Sequence, residues 1–147
     1  MSVLKIKKLR DNAHIPYRAT AGSAGMDLYA CIDEPVPIPP HEIRLIPTGI
    51  AIALESADYV AYLFARSGLA IKHGLAPANC VGVIDSDYRG EVCVGLLNQT
   101  DQPFTVSPDE RIAQMVISPV ILPEIEVTDD LGETDRGAGG FGSTGRK

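Results

Sequence analysis

Residues 81 to 92 read VGVIDSDYRGEV, two β-rich runs around a turn that holds two aspartates, a tyrosine and an arginine. Asp85 falls at a strand end, where a rigid scaffold can aim a carboxylate for general-base work. The competing account is a hairpin whose aspartates cap turns, although such a turn has no need of Tyr88. A second stretch, ARSGLAIKHG at 65 to 74, places Arg66 and Ser67 before a possible helix start. Unpaired N–H groups at a helix start, with a guanidinium beside them, suit phosphate oxygens; an N-cap serine beside a surface arginine is the bland alternative. No GxxxxGK[ST] follows a strand, so this is not a P-loop.

Three further places carry polar chemistry in unexpected company. Asp27 lies in AGMDLYA, 24 to 30, where a carboxylate either bonds a turn or holds the water shell of a metal. Gln114 interrupts the apolar run RIAQMVI, 111 to 117, and pairs either with a neighbouring chain or with a ligand. The segment RGAGGFGSTGRK, 136 to 147, has five glycines in twelve residues, which by composition alone is a disordered end. Yet Phe141 offers a flat apolar face, Arg136 and the Ser143-Thr144 hydroxyls offer donors to an anion, and the glycines let backbone come close. Such an arm suits a ligand that has both a ring and phosphates.

The elements that position these residues are strands. Period-2 patterns recur at Leu4 and Ile6, at Ile50, Ile52 and Leu54, and at Val92, Val94 and Leu96. Short β-rich runs also occupy 59 to 64, 80 to 84, 111 to 117 and 120 to 127, each bounded by Gly, Pro, Asp or Asn. Eleven prolines exclude long helices and are expected at strand ends or turns; only 67 to 74 has room for a helix, of one or two turns. The fold class is all-β, a sandwich or jelly-roll barrel rather than α/β. Six carboxylates crowd 124 to 135, and the packed body is expected over 1–130 with a flexible C-terminal arm over 131–147.

At 147 residues one core is the default. A net charge of −6 argues against broad binding to nucleic acid or an anionic membrane, and no apolar run approaches a membrane span. The three cysteines, Cys31, Cys80 and Cys93, make no CxxC pair, and no apolar leader follows Met1; reduced thiols and an intracellular, cytoplasmic protein are expected. His14, His41 and His73 lack HxH or HExxH spacing, against a histidine zinc site.

The stretches AGMDLYA, RSGLAIKHG, NCVGVIDSDYRGEV, RIAQMVI and RGAGGFGSTG resemble, in order and spacing, the five motifs of the trimeric dUTPases. Many members have proline before the RSG arginine; here Ala65 stands there. The resemblance implies a jelly-roll-like distorted β-barrel in a homotrimer that hydrolyses dUTP to dUMP and pyrophosphate by water attack on the α-phosphate, with Mg2+. That activity keeps uracil out of DNA and supplies dUMP for thymidylate synthesis. It implies Asp85 as general base; Tyr88 under the deoxyribose; Asn79, Val83, Ile84, Asp85 and Cys93 around uracil; and Arg66, Ser67, Gly68 and Gln114 on the phosphates. It further implies Asp27 holding Mg2+ through water, Phe141 stacked on uracil, and Arg136, Gly142, Ser143 and Thr144 on the γ-phosphate. The sites lie between subunits. Rival readings are a dCTP deaminase of the same fold and a non-catalytic nucleotide-binding interaction module.

Overall fold

In a computed structural model that describes residues 3–140, the chain forms strands β1 (Lys5–Lys8), β2 (Met26–Tyr29), β3 (Val36–Ile38), β4 (Ile43–Ala53) and β5 (Tyr59–Phe64). Helix α1 (Ser67–His73) follows, then β6 (Leu75–Pro77), β7 (Gly82–Ile84), β8 (Glu91–Asn98), β9 (Phe104–Val106) and β10 (Arg111–Pro119). One four-stranded sheet has the order β1-β4-β8-β6, a second has β2-β10-β5-β7, and β3 pairs with β9 in a ribbon. The ladders are antiparallel. The arrangement is jelly-roll-like: the two sheets share one core rather than close into a continuous hydrogen-bonded cylinder.

Alternation decides which faces meet. Along β8, Val92, Val94, Leu96 and Asn98 are buried while the residues between them are half-buried. Leu28 on β2, Ile46 and Ile50 on β4, Ile112 and Met115 on β10 and Ile38 on β3 complete the centre, each at most 1% exposed. Burial of each such side chain contributes about 1.5–3 kcal/mol. The buried Asn98 is satisfied: its Nδ2 donates to the carbonyls of Ile38 and Gln102 at 3.0 and 2.7 Å, and its Oδ1 accepts from Thr100. An amide so placed ties the ribbon to the first sheet.

Three expectations need adjustment. Pro47 lies inside β4 rather than at a strand end, and there the β4–β8 register slips between Pro47 and Ala51, since proline gives the ladder no N–H. Pro37 sits within β3, a strand with a ladder on one side only, where the missing donor costs nothing. The β-rich run 120 to 127 forms no strand: Ile121, Ile125 and Val127 are 87%, 93% and 94% exposed, because Pro123 interrupts any ladder and the run pairs with no strand among the described residues. Regular structure among the described residues ends at Pro119.

Candidate active site

The turn 85 to 90 does not join a paired hairpin. β7 pairs with β5 in one sheet and β8 with β4 and β6 in the other, so the two strands diverge and a gap of about 390 Å³ opens between them. Asn79, Val83, Ile84, Asp85, Tyr88 and Cys93 all line that gap. β7 is an edge strand, with a ladder to β5 on one side only. Its other edge presents backbone donors and acceptors in fixed positions, which is what recognition of a planar, hydrogen-bonding ring requires. Asp85 follows directly at the strand end and is exposed, and its carbonyl accepts the Tyr88 N–H at 3.2 Å to close the turn. Tyr88, 46% exposed, donates its hydroxyl to the Glu91 carbonyl at 3.1 Å.

Cys93 lines the same gap from β8. Burial pushes its thiol pKa up, the Glu91 carboxylate pushes further in the same direction, and Arg10 opposes. The thiol is therefore neutral at pH 7 and adds no negative charge beside Asp85 and Glu91, which line the same cavity.

A second cavity, of about 400 Å³, has the opposite character. Arg66, Ser67, Gly68, Asp27, Gln114 and Arg111 line it, and it shares no lining residue with the first. Arg66 caps α1 in an extended conformation, so the serine is the first helical residue rather than the N-cap, and the first N–H groups of the helix face outward without intrahelical partners. Gln114 sits on the central strand, opposite Asp27 of β2 on one side and Phe64 of β5 on the other. Its Nε2 donates to the Ala65 carbonyl at 2.9 Å, which fixes the chain just before Arg66 and the start of α1.

Asp27 binds two cations at once. Arg66 Nε donates to its Oδ1 at 2.7 Å and Arg111 Nη1 to its Oδ2 at 3.1 Å, with the carboxylate side chain 14% exposed. Both guanidiniums are thereby held at the cavity with a local excess of one positive charge in an otherwise acidic chain. Each carboxylate oxygen retains lone-pair capacity for a water molecule. A lone carboxylate with spare acceptor sites fits a hydrated hard cation that arrives with phosphates, and not an inner-sphere protein cage. Among the described residues no three His, Cys, Asp or Glu side chains group to ligate a metal directly.

Arg111 escaped the sequence reading. A charged residue opening an apolar strand was the available signal, but only the fold brings it to Asp27. Gly25 was missed too: a Cβ there would stand 2.2 Å from Gln114 Oε1. Arg136 is exposed, its Nε donating to the Gly139 carbonyl at 2.8 Å, and it lines neither cavity. Phe141, Gly142, Ser143 and Thr144 lie outside the described residues. No helix among the described residues is long and apolar enough to cross a membrane.

The family model described as dUTPase matches residues 11–145. A deoxyuridine 5'-triphosphate nucleotidohydrolase of Hahella chejuensis is 53% identical over 141 residues, covering 96% of this chain and 93% of that protein. One from Chromobacterium violaceum is 54% identical over 139 residues, covering 95% and 91%. Among solved structures, a point mutant of the dUTPase of Staphylococcus bacteriophage 80alpha with dUpNHpp superposes with a TM-score of 0.88 at 28% identity, covering 99% of both chains. A point mutant of the dUTPase of phage phi11 of S. aureus, whose structure details the coordination of a structural Mg(II) ion, shares the fold with a TM-score of 0.81 at 23% identity, covering 90% of this chain and 100% of that one.

Proposed function

The chain belongs to the dUTPase family and is a dUTP nucleotidohydrolase; we propose that Asp85 is the general base of its reaction. A water oxygen bonds to the α-phosphorus, the bond from that phosphorus to the bridging oxygen breaks, and pyrophosphate leaves with dUMP behind. Asp85 takes the proton of the attacking water and releases it to solvent. Positioned base catalysis of this kind contributes typically 10²–10⁴ in rate. The observation that carries the reading is the open edge of β7 running straight into Asp85, in one cavity with Tyr88.

Recognition divides between the cavities. Asn79, the backbone of Val83 to Asp85, and Cys93 receive uracil, and Tyr88 lies under deoxyribose in the space that a 2′-hydroxyl needs. A snug apolar wall leaves that hydroxyl unpaired, which disfavours ribonucleotides. Arg66, Ser67, Gly68 and Gln114 hold the phosphates. Neutralising charge on the phosphate oxygens is the chemistry that Mg2+, held through water by Asp27, supplies when bound.

Two cavities that share no lining residue support a site assembled from different protomers, and we place three such sites in a homotrimer. The catalytic body covers 1–130. The arm, 131–147, closes over the substrate with Phe141 on uracil and Arg136, Gly142, Ser143 and Thr144 on the γ-phosphate, excluding bulk water. The reaction belongs in the cytoplasm, where removing dUTP keeps uracil from DNA. Asp85→Asn tests the chemistry: pyrophosphate release from dUTP is expected to fall by about 10²–10⁴ with binding of a non-hydrolysable dUTP analogue retained. Equal rates in the two proteins would remove Asp85 from the mechanism.

A further inference from the structure

We infer that Glu91 is a positioning residue for sugar discrimination: through the bulge in β4 and with room made by Gly90, it fixes Tyr88 and so sets the preference for deoxyribose over ribose. The inference rests on the dUTPase reading of the first cavity.

A half-exposed ring on a turn is not held in place by packing, so its position depends on tethers. Tyr88 has two. Its hydroxyl donates to the Glu91 carbonyl at 3.1 Å, and its ring lies against the backbone of Gly90. A Cβ at position 90 would stand 2.3 Å from the hydroxyl oxygen and 2.5 Å from Cζ, distances that only glycine avoids. Where the Glu91 carbonyl sits therefore decides where the ring sits.

That carbonyl is placed by side-chain bonds in a stretch where the ladder fails. Glu91 pairs with Ala51 of β4, but between that pair and Cys93–Pro47 the register slips, and Gly49 turns out of the ladder there at a φ of +69°. Its N–H bonds the Glu91 carboxylate instead, at 2.8 Å, and the Thr48 hydroxyl donates to the Val92 carbonyl at 2.5 Å. Gly49 has little freedom to adjust, since a Cβ there would meet Cys31 Sγ at 2.6 Å and Ala13 Cβ at 2.7 Å. The Glu91 carboxylate thus substitutes for a missing backbone partner at the strand start that carries the tyrosine tether. Without it the bulge and the carbonyl relax together, and the ring yields space to a 2′-hydroxyl. Steric rejection of one added hydroxyl is sensitive to shifts of this kind.

The test compares kcat/KM for dUTP and UTP in the full-length wild type, E91A, E91Q, Y88F and G90A, with Tm measured in parallel. E91A is expected to raise UTP turnover relative to dUTP about tenfold, and Y88F, which keeps the ring and loses the tether, to do likewise. E91Q retains an oxygen acceptor for Gly49 and is expected to keep the wild-type ratio. A purely structural Glu91 lowers Tm and both kcat/KM values in parallel; an unchanged ratio in E91A overturns the inference. Should E91A fail to fold, an unchanged ratio in both Y88F and G90A overturns it instead. A wild type that does not hydrolyse dUTP overturns the dUTPase reading and this inference with it, whereas an active wild type with flat ratios overturns the inference alone.

Discussion

The two cavities recognise by opposite means. The first is bounded by a strand edge and by the divergence of β7 from β8, so its polar groups include the free backbone of β7 and its walls include residues of the core. The second is bounded by side chains that hold one another: a carboxylate between two guanidiniums and an amide on a loop carbonyl. Fixed backbone groups suit discrimination between flat rings that differ in one donor or methyl. Paired charges suit a flexible, highly charged chain of phosphates, where field matters more than shape. The contrast teaches that one small domain can build a rigid selector and a charged clamp from residues that do not overlap.

The strongest test of that contrast joins the halves. Arg66→Ala and Asp85→Asn each inactivate one half; refolded together, random trimers contain intact pairings in about a quarter of their sites if the halves come from different chains. Activity is then expected to rise to about a quarter of the wild-type value, about 25-fold or more above Asp85→Asn alone. Mixing that restores nothing places both halves in one chain. Next in size, Arg66→Ala alone is expected to weaken a non-hydrolysable dUTP analogue by about ten- to a hundredfold, that is by about 1.4–2.8 kcal/mol, while dUMP binding changes little. Equal losses for both ligands would show the clamp to be less specific to the polyphosphate than its charges suggest.

A smaller effect separates packing from charge. Gly25→Ala drives a methyl against Gln114 Oε1, the mobile end of a side chain, so the fold survives while Gln114 releases Ala65. A loss of about 1–2 kcal/mol in unfolding free energy and a raised KM for dUTP are expected, measured by denaturant melts and steady-state kinetics. The smallest effect concerns pH. Burial raises the folded-state pKa of Cys93 and of Cys31, so the native state keeps protons that the unfolded chain loses above the ordinary thiol value of 9.0. Stability from these thiols is intact below pH 9.0 and falls as pH climbs from there toward the raised folded values. Replacing both by alanine is expected to flatten that decline in a Tm-versus-pH series.

How much of this was legible in the residues follows the physics of each signal. Strand β8 was plain because alternation over eight residues is a local property. α1 was legible from its length between breakers. The ribbon strands β3 and β9 were not, since three residues beside prolines carry no period, and pairing across a long loop leaves no local trace. Tyr88 stood out as a residue type that a turn does not need, whereas Asp85 and Arg66 also had structural accounts, as a turn cap and a surface charge. Arg111 did not, because its role depends on a contact with Asp27 across 84 positions of chain. The turn 85 to 90 likewise looked like a hairpin, for divergence into separate sheets is decided by pairing partners elsewhere.

The open edge of β7 has a consequence beyond recognition. Unsatisfied strand edges are where proteins stick to one another, and the usual remedies are brevity, charge or a cover. Here the edge is three residues long and runs into Asp85. That brevity also keeps foreign chains from extending the sheet, so the same three residues that border the first cavity leave little edge for another chain to join.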